Sequence, residues 1–135
     1  MVRGRDLEWD IARGWWIQLV DGGGVGFGYG MSDLDRRRLL NEEEVAAWLG
    51  RLPGWVRVED RLEKVFEFGS FLDGIEFVRR LAMEAEAMDH HPELVVGWRK
   101  VRVRSTTHRP KGLTGLDGEL AEAAERVSGG DGGVR

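Results

Sequence analysis

From Asn41 onward the apolar and polar positions follow a regular pattern. Asn41-Glu-Glu-Glu44 is a capping-box arrangement, with a side-chain acceptor at the cap and a glutamate three residues on to reach back to it. Val45, Trp48, Leu49 and Leu52 then recur at helical spacing, which predicts a first helix stopped by Pro53-Gly54. Trp55–Val58 reads as a short strand and Glu59-Asp60-Arg61 as a turn. Leu62–Phe68 reads as a second strand, with Leu62, Phe66 and Phe68 on one face. Ser70 is placed to cap a long helix over residues 71–89. Its apolar stripe is Leu72, Ile75, Val78, Leu81, Ala82, Ala85 and Met88. Pro92 lies just past its end. Leu94–Val96 and Val101–Thr107 are further strand candidates; Val101, Val103 and Ser105 share a face, and Arg102 and Arg104 take the other. Arg109-Pro-Lys-Gly112 reads as a loop. Thr114 is placed to cap a last helix carrying Leu116, Leu120, Ala124 and Val127.

The predicted order is helix, strand, strand, helix, strand, strand, helix. Short hairpin connections favour a four-stranded antiparallel sheet with helices packed on one face, an α+β domain over residues 32–127. Residues 128–135 are glycine-rich and read as a frayed tail. Residues 1–31 differ in composition. They hold Trp9, Trp15 and Trp16 and then the run Gly22–Gly30, and they read as a flexible extension in which Trp15–Val20 is a strand candidate. The glycines alternate as Gly24, Gly26, Gly28 and Gly30, out of phase with a dinucleotide fingerprint, and no Walker lysine follows. Met31-Ser-Asp-Leu-Asp also reads as an ordinary beginning, so the expectation includes translation from Met31.

Composition narrows the chemistry. With 135 residues the chain has the size of one domain, long enough to bury a core unaided. The net charge of −4 carries no basic stripe, so no direct nucleic-acid partner is expected. The absence of cysteine excludes disulfides, thiolate metal sites and cysteine nucleophiles, and it fits a cytoplasmic location. No apolar run is long enough to cross a bilayer as a helix, so no membrane partner is expected.

All three histidines lie late in the chain: His90 and His91 beyond the long helix, and His108 at a strand end. Glu86 precedes His90 by four residues, Asp89 adjoins the pair, and Asp117 opens the last helix. Imidazoles near carboxylates suit proton transfer near neutral pH. They also suit a metal, although His90-His91 lacks the usual ligand spacing. Ordinary surface or capping histidines are the third reading, and the residues alone leave all three open.

The set Glu86-Ala-Met-Asp-His-His-Pro-Glu93, with Trp98, His108 and Asp117 following in register, resembles the pterin-4a-carbinolamine dehydratase family. Pro53-Gly-Trp55, Phe66-x-Phe68 and Phe71 fit the same pattern. The chain departs from it at Leu94, Val96, Gly97 and Arg109-Pro-Lys, and residues 1–31 have no counterpart in it. The resemblance implies a hydro-lyase that dehydrates 4a-hydroxytetrahydropterin to quinonoid dihydropterin during tetrahydrobiopterin recycling. It implies His90, His91 and His108 as the catalytic set, Asp117 orienting His108, and Glu86, Asp89, Pro92 and Trp98 holding the pterin or the histidines. It further implies a pterin that is substrate rather than cofactor, no metal, and a homodimer or homotetramer. The competing expectation is a non-catalytic dimerisation or assembly module of the same fold that binds a protein partner.

Overall fold

The computed structural model describes residues 32–129 and, upstream, three strands: β1 (Leu7–Asp10), β2 (Trp15–Val20) and β3 (Gly24–Val25). These pair antiparallel in the order β1-β2-β3, and β2 coincides with the strand expected at Trp15–Val20. The expected flexibility of the rest of 1–31, and of the tail beyond Gly129, lies outside the described residues.

The main body begins with α1 (Asp33–Arg37), a short helix that the apolar pattern did not announce. It is capped by Ser32, whose Oγ accepts from Asp35 N at 3.0 Å. Next comes α2 (Glu42–Gly50), whose capping box forms as expected: Glu44 N donates to Asn41 Oδ1 at 2.8 Å and Asn41 N donates to Glu44 Oε1 at 2.9 Å. Strands β4 (Val56–Val58) and β5 (Arg61–Glu67) form a hairpin. The long helix α3 (Phe71–Met88) is capped by Ser70, whose Oγ accepts from Asp73 N at 3.1 Å. Then follow β6 (Glu93–Val96), β7 (Lys100–Ser105), the short strands β8 (Thr107–His108) and β9 (Lys111–Gly112), and α4 (Gly115–Gly129).

The four-stranded sheet runs β4-β5-β7-β6, antiparallel throughout. Leu62 and Phe66 on β5 and Val101, Val103 and Ser105 on β7 point into the core, while Val65, Glu67 and Arg102 face away from it. Helices therefore cover one face, as the α+β reading expects. The core joins Val45, Leu52, Trp55, Phe66, Phe77, Leu81, Val101 and Leu120. Phe77 has its ring centroid 4.8 Å from that of Phe66 and 5.2 Å from that of Phe68.

Three expectations change. In the expected stripe of α3, Leu81, Ala85 and Met88 are buried and Val78 packs against the core as read, but Gly74 and Phe77 complete it, and Leu72, Ile75 and Ala82 lie on the exposed side. Gly74 marks the line along which the helix meets the sheet: an ideal Cβ there would stand at contact distance, 3.4 Å from the Phe68 ring and 3.5 Å from Val101. The segment 109–112 is not an open loop; β8 and β9 pair as a hairpin, with Thr107 opposite Gly112 and His108 opposite Lys111. Ser128, expected in the tail, is buried inside α4.

Candidate active site

The site starts from the way α3 ends. Asp89 takes the left-handed conformation at φ 51°, which a short polar side chain tolerates better than most. Asp89 N donates to Glu86 O at 3.2 Å and His90 N to Ala85 O at 3.1 Å. These paired bonds form a Schellman motif, with Asp89 where glycine is commoner. They turn the chain so that successive side chains diverge: His90 enters the interior at 8% exposure, and His91 stays outside. Pro92, half-buried, leads directly into β6.

His90 meets Asp117, whose side chain is fully buried in the first turn of α4. Asp117 accepts four hydrogen bonds. His90 Nε2 lies 2.7 Å from Oδ1, and Ser105 Oγ donates to the same oxygen at 2.6 Å. Thr107 Oγ1 donates to Oδ2 at 2.7 Å, and Thr114 N donates to it at 3.0 Å. An ionised carboxylate can only accept, so His90 must present its hydrogen on Nε2. That proton is shared with Ser105 Oγ at 3.4 Å. Since Thr107 gives its hydrogen to Asp117, Thr114 Oγ1 must donate across the 2.8 Å contact to Thr107 Oγ1, and it accepts in turn from Leu116 N at 3.3 Å. Every hydrogen in the network therefore has an acceptor, and the neutral imidazole of His90 keeps its lone pair on Nδ1.

His91 repeats the arrangement at the surface, with Nε2 2.7 Å from Glu86 Oε2 and both side chains exposed. The same acceptor argument places its hydrogen on Nε2 and frees Nδ1. His108 follows Thr107 directly, so the chain that touches Asp117 also carries it. Its side chain is exposed, and no hydrogen-bond partner is found for it among the described residues.

The expected role of Asp117 thus changes. Its oxygens are filled by Ser105, Thr107, Thr114 and His90, and it orients His90 rather than His108. Strand alternation is the reason: Thr107 points inward to the carboxylate, so the next side chain points out. Trp98 also departs from expectation. It sits in the β6–β7 turn at 72% exposure, with the Arg99 guanidinium 4.5 Å from its ring. Ser105, which touches the site, ends β7, whereas Trp98 precedes its start; six residues of strand span roughly 20 Å. Asp89 acts here through its backbone. Sequence reasoning missed Ser105, Thr107 and Thr114 as site residues. A signal existed for two of them: Ser105 is polar on an otherwise apolar strand face, and Thr114 stands three residues before Asp117, as a cap should.

Among the described residues no group of three or more histidine and acidic side chains is placed to hold a metal ion, and no helix is long and apolar enough to cross a membrane.

Comparison with known proteins gives a consistent result. The family model described as pterin 4 alpha carbinolamine dehydratase matches residues 38–127. A protein of Mycobacteroides abscessus named "Putative pterin-4-alpha-carbinolamine dehydratase" is 43% identical over 91 residues, which cover 67% of this chain and 97% of that protein. A protein of the same name from Thermosynechococcus vestitus is 43% identical over 89 residues, covering 66% of this chain and 94% of its own. Among solved structures, a Brucella melitensis protein described as a transcriptional coactivator/pterin dehydratase superposes with a TM-score of 0.66 at 32% identity, covering 68% of this chain and 100% of that one.

Proposed function

The chain belongs to the pterin 4 alpha carbinolamine dehydratase family, and on that premise we propose that it dehydrates a 4a-hydroxytetrahydropterin to the quinonoid dihydropterin by proton transfer through His90, His91 and His108. The observation that carries this reading is the hold of Asp117 on Nε2 of His90, which fixes one tautomer and leaves Nδ1 free. The reaction needs two proton movements. The 4a-hydroxyl leaves as water once an imidazolium has protonated it. The proton on N5 is taken by a neutral imidazole nitrogen, and the electrons of that N–H bond form the new double bond between N5 and C4a. Each such transfer is typically worth about 10² to 10⁴ in rate. His91 and His108, both exposed, exchange protons with solvent between turnovers. The pterin is substrate, not cofactor, and neither proton movement calls for a metal. A cytoplasmic step that returns oxidised pterin for reduction suits this chemistry.

The test is direct. Purified protein is mixed with freshly generated 4a-hydroxytetrahydropterin and the quinonoid product is followed by absorbance. Acceleration by the wild type is expected, with a fall of about 10² or more in His90→Ala and in His108→Ala. Wild-type rates in both variants would overturn the histidine assignment.

A second reading as a partner-binding module, or as a homo-oligomer, draws on exposed apolar side chains. Phe71, Leu72 and Ile75 on α3 and Trp98 in the β6–β7 turn lie out of the core. Phe68 N donates to Arg99 O at 2.8 Å, which brings the start of α3 and that turn to one end of the sheet. Edge strand β6 adds Val95 and Val96. A self-associating protein would show this surface in a concentration-dependent mass by light scattering.

A further inference from the structure

We infer that Arg36 is a positioning residue for the His90–Asp117 pair, acting through a strap formed by residues 36–40; the catalytic half of the inference rests on the dehydratase reading. Arg36 belongs to α1, just ahead of the segment matched by the family model. Its side chain is almost fully buried, and so is that of Glu119 on α4. Arg36 Nε donates to Glu119 Oε1 at 3.0 Å and to Oε2 at 3.1 Å, and Nη2 makes a further ionic contact at 2.9 Å to Oε1, off the hydrogen-bond line. Three to four residues along the chain, the strap makes a second attachment. Leu40 N donates to Leu113 O at 2.9 Å, and Leu39 forms a β-bridge with Thr114.

The two attachments bracket Asp117. On one side is Thr114, whose N–H donates to Asp117 Oδ2 and whose hydroxyl bonds Thr107. On the other side is Glu119, on the same turn and a half of α4. The strap thus fixes both the rotation of the helix and the loop that enters it. A buried ion pair is a poor source of stability, because desolvating two charges can cancel their attraction and an apolar pair of equal volume often does as well. What the guanidinium supplies is position: its Nε–H is aimed between the two Glu119 oxygens, with the charge of Nη2 2.9 Å from one of them, which holds the carboxylate at one place on α4. Asp117 needs that control, since a small rotation of α4 would separate its Oδ1 from His90 and Ser105.

The full-length protein is compared with Arg36→Met, Arg36→Lys and the double variant Arg36→Met/Glu119→Met. Two readouts are taken: steady-state kcat and KM, and the nitrogen-15 and proton resonances of the His90 imidazole. Arg36→Met is expected to lower kcat about tenfold or more with little change in KM, as misplacement of a catalytic group does. The His90 Nε2–H resonance should move or broaden in parallel, and Arg36→Lys should recover part of both. The double variant removes the uncompensated carboxylate, so its thermal stability should return while kcat and the His90 resonance do not. Recovery of kcat together with stability in the double variant would reduce the pair to a folding role and overturn the inference. An unchanged His90 resonance in folded Arg36→Met would overturn it as well. If the wild type fails to dehydrate the pterin, the dehydratase reading fails separately, and the resonances still decide whether Arg36 sets the His90–Asp117 geometry.

Discussion

Asp117→Asn changes one atom at the centre of the network and tests the tautomer argument directly. The Oδ2 end of the carboxylate accepts from Thr114 N, a backbone donor that cannot turn away, and from Thr107 Oγ1. An amide at this position keeps its oxygen there and places its NH₂ at the Oδ1 end, facing Ser105 Oγ and His90 Nε2. Ser105 can rotate its hydroxyl and accept. His90 cannot keep a hydrogen on Nε2 without opposing two donors, so its proton moves to Nδ1 and Nε2 accepts from the amide. Nδ1, which kept its lone pair in the wild type, has then lost it. Exchanging charge-assisted bonds for neutral ones loses about 1 kcal/mol each, so the variant is expected about 2–4 kcal/mol less stable and still folded. On the dehydratase reading, loss of that lone pair should lower kcat by about 10² to 10⁴. Urea denaturation measures the first quantity and the pterin assay the second. Nitrogen-15 shifts of the His90 ring report which nitrogen carries hydrogen. A folded variant with kcat within about threefold of wild type, or one whose His90 hydrogen stays on Nε2, would refute the reasoning.

Gly118→Ala should destabilise the fold. An ideal Cβ at 118 stands 2.3 Å from Trp48 Cδ2 and 2.5 Å from Cε2 and Cε3, so the Trp48 ring, or α2 with it, must shift, at a typical overpacking cost of about 1–3 kcal/mol that the better helix propensity of alanine does not offset. An unchanged or raised urea midpoint would rule out that close approach. Glu119 sets a pH dependence: burial pushes its carboxyl up to about 7 from 4.5, against the opposing effect of Arg36 and with added repulsion from Glu122 and Asp33. The folded state therefore binds the extra proton in this window. Its contribution to stability is fully present below pH 4.5 and is lost as pH rises through 7. The shifts of Glu44 and Glu76 run the other way, down to about 2, so their effect lies below this window. Denaturation midpoints between pH 5 and 8 should decline in the wild type and decline less steeply in Glu119→Gln, where Glu122, also raised by burial, still contributes; an equal slope in both would contradict the assignment.

The regular elements were legible because their signals are local. The caps at Asn41 and Ser70 involve residues three apart and formed as read. The hairpins β4–β5 and β6–β7 followed from alternation and short connections, whereas the pairing of β5 with β7 across α3 and β6 is a tertiary choice. The phase of α3 was legible in its second half, where Leu81, Ala85 and Met88 are buried as read, but not in its first. Its first turns carry apolar residues around most of their circumference, so a 3.6-residue period fits more than one stripe. The buried one is the stripe that sets Phe77 against Phe66 and Phe68 of the sheet. Helix α1 was missed because its docking rests on Arg36, a residue that looks exposed on any hydropathy pattern.

For the site, the chain by itself determined which chemistry was available: three imidazoles, the carboxylates near them, and the family to which their spacing belongs. Tertiary structure alone decided who holds whom. Asp117 pairs with His90 across 27 positions, and Arg36 reaches Glu119 across 83. Trp98 is carried to the far end of β7. A cap or a turn is settled by neighbours within one turn of chain. A buried hydrogen bond between distant residues is settled by how helices stack on a sheet, and by the cost of leaving a polar atom enclosed there without a partner.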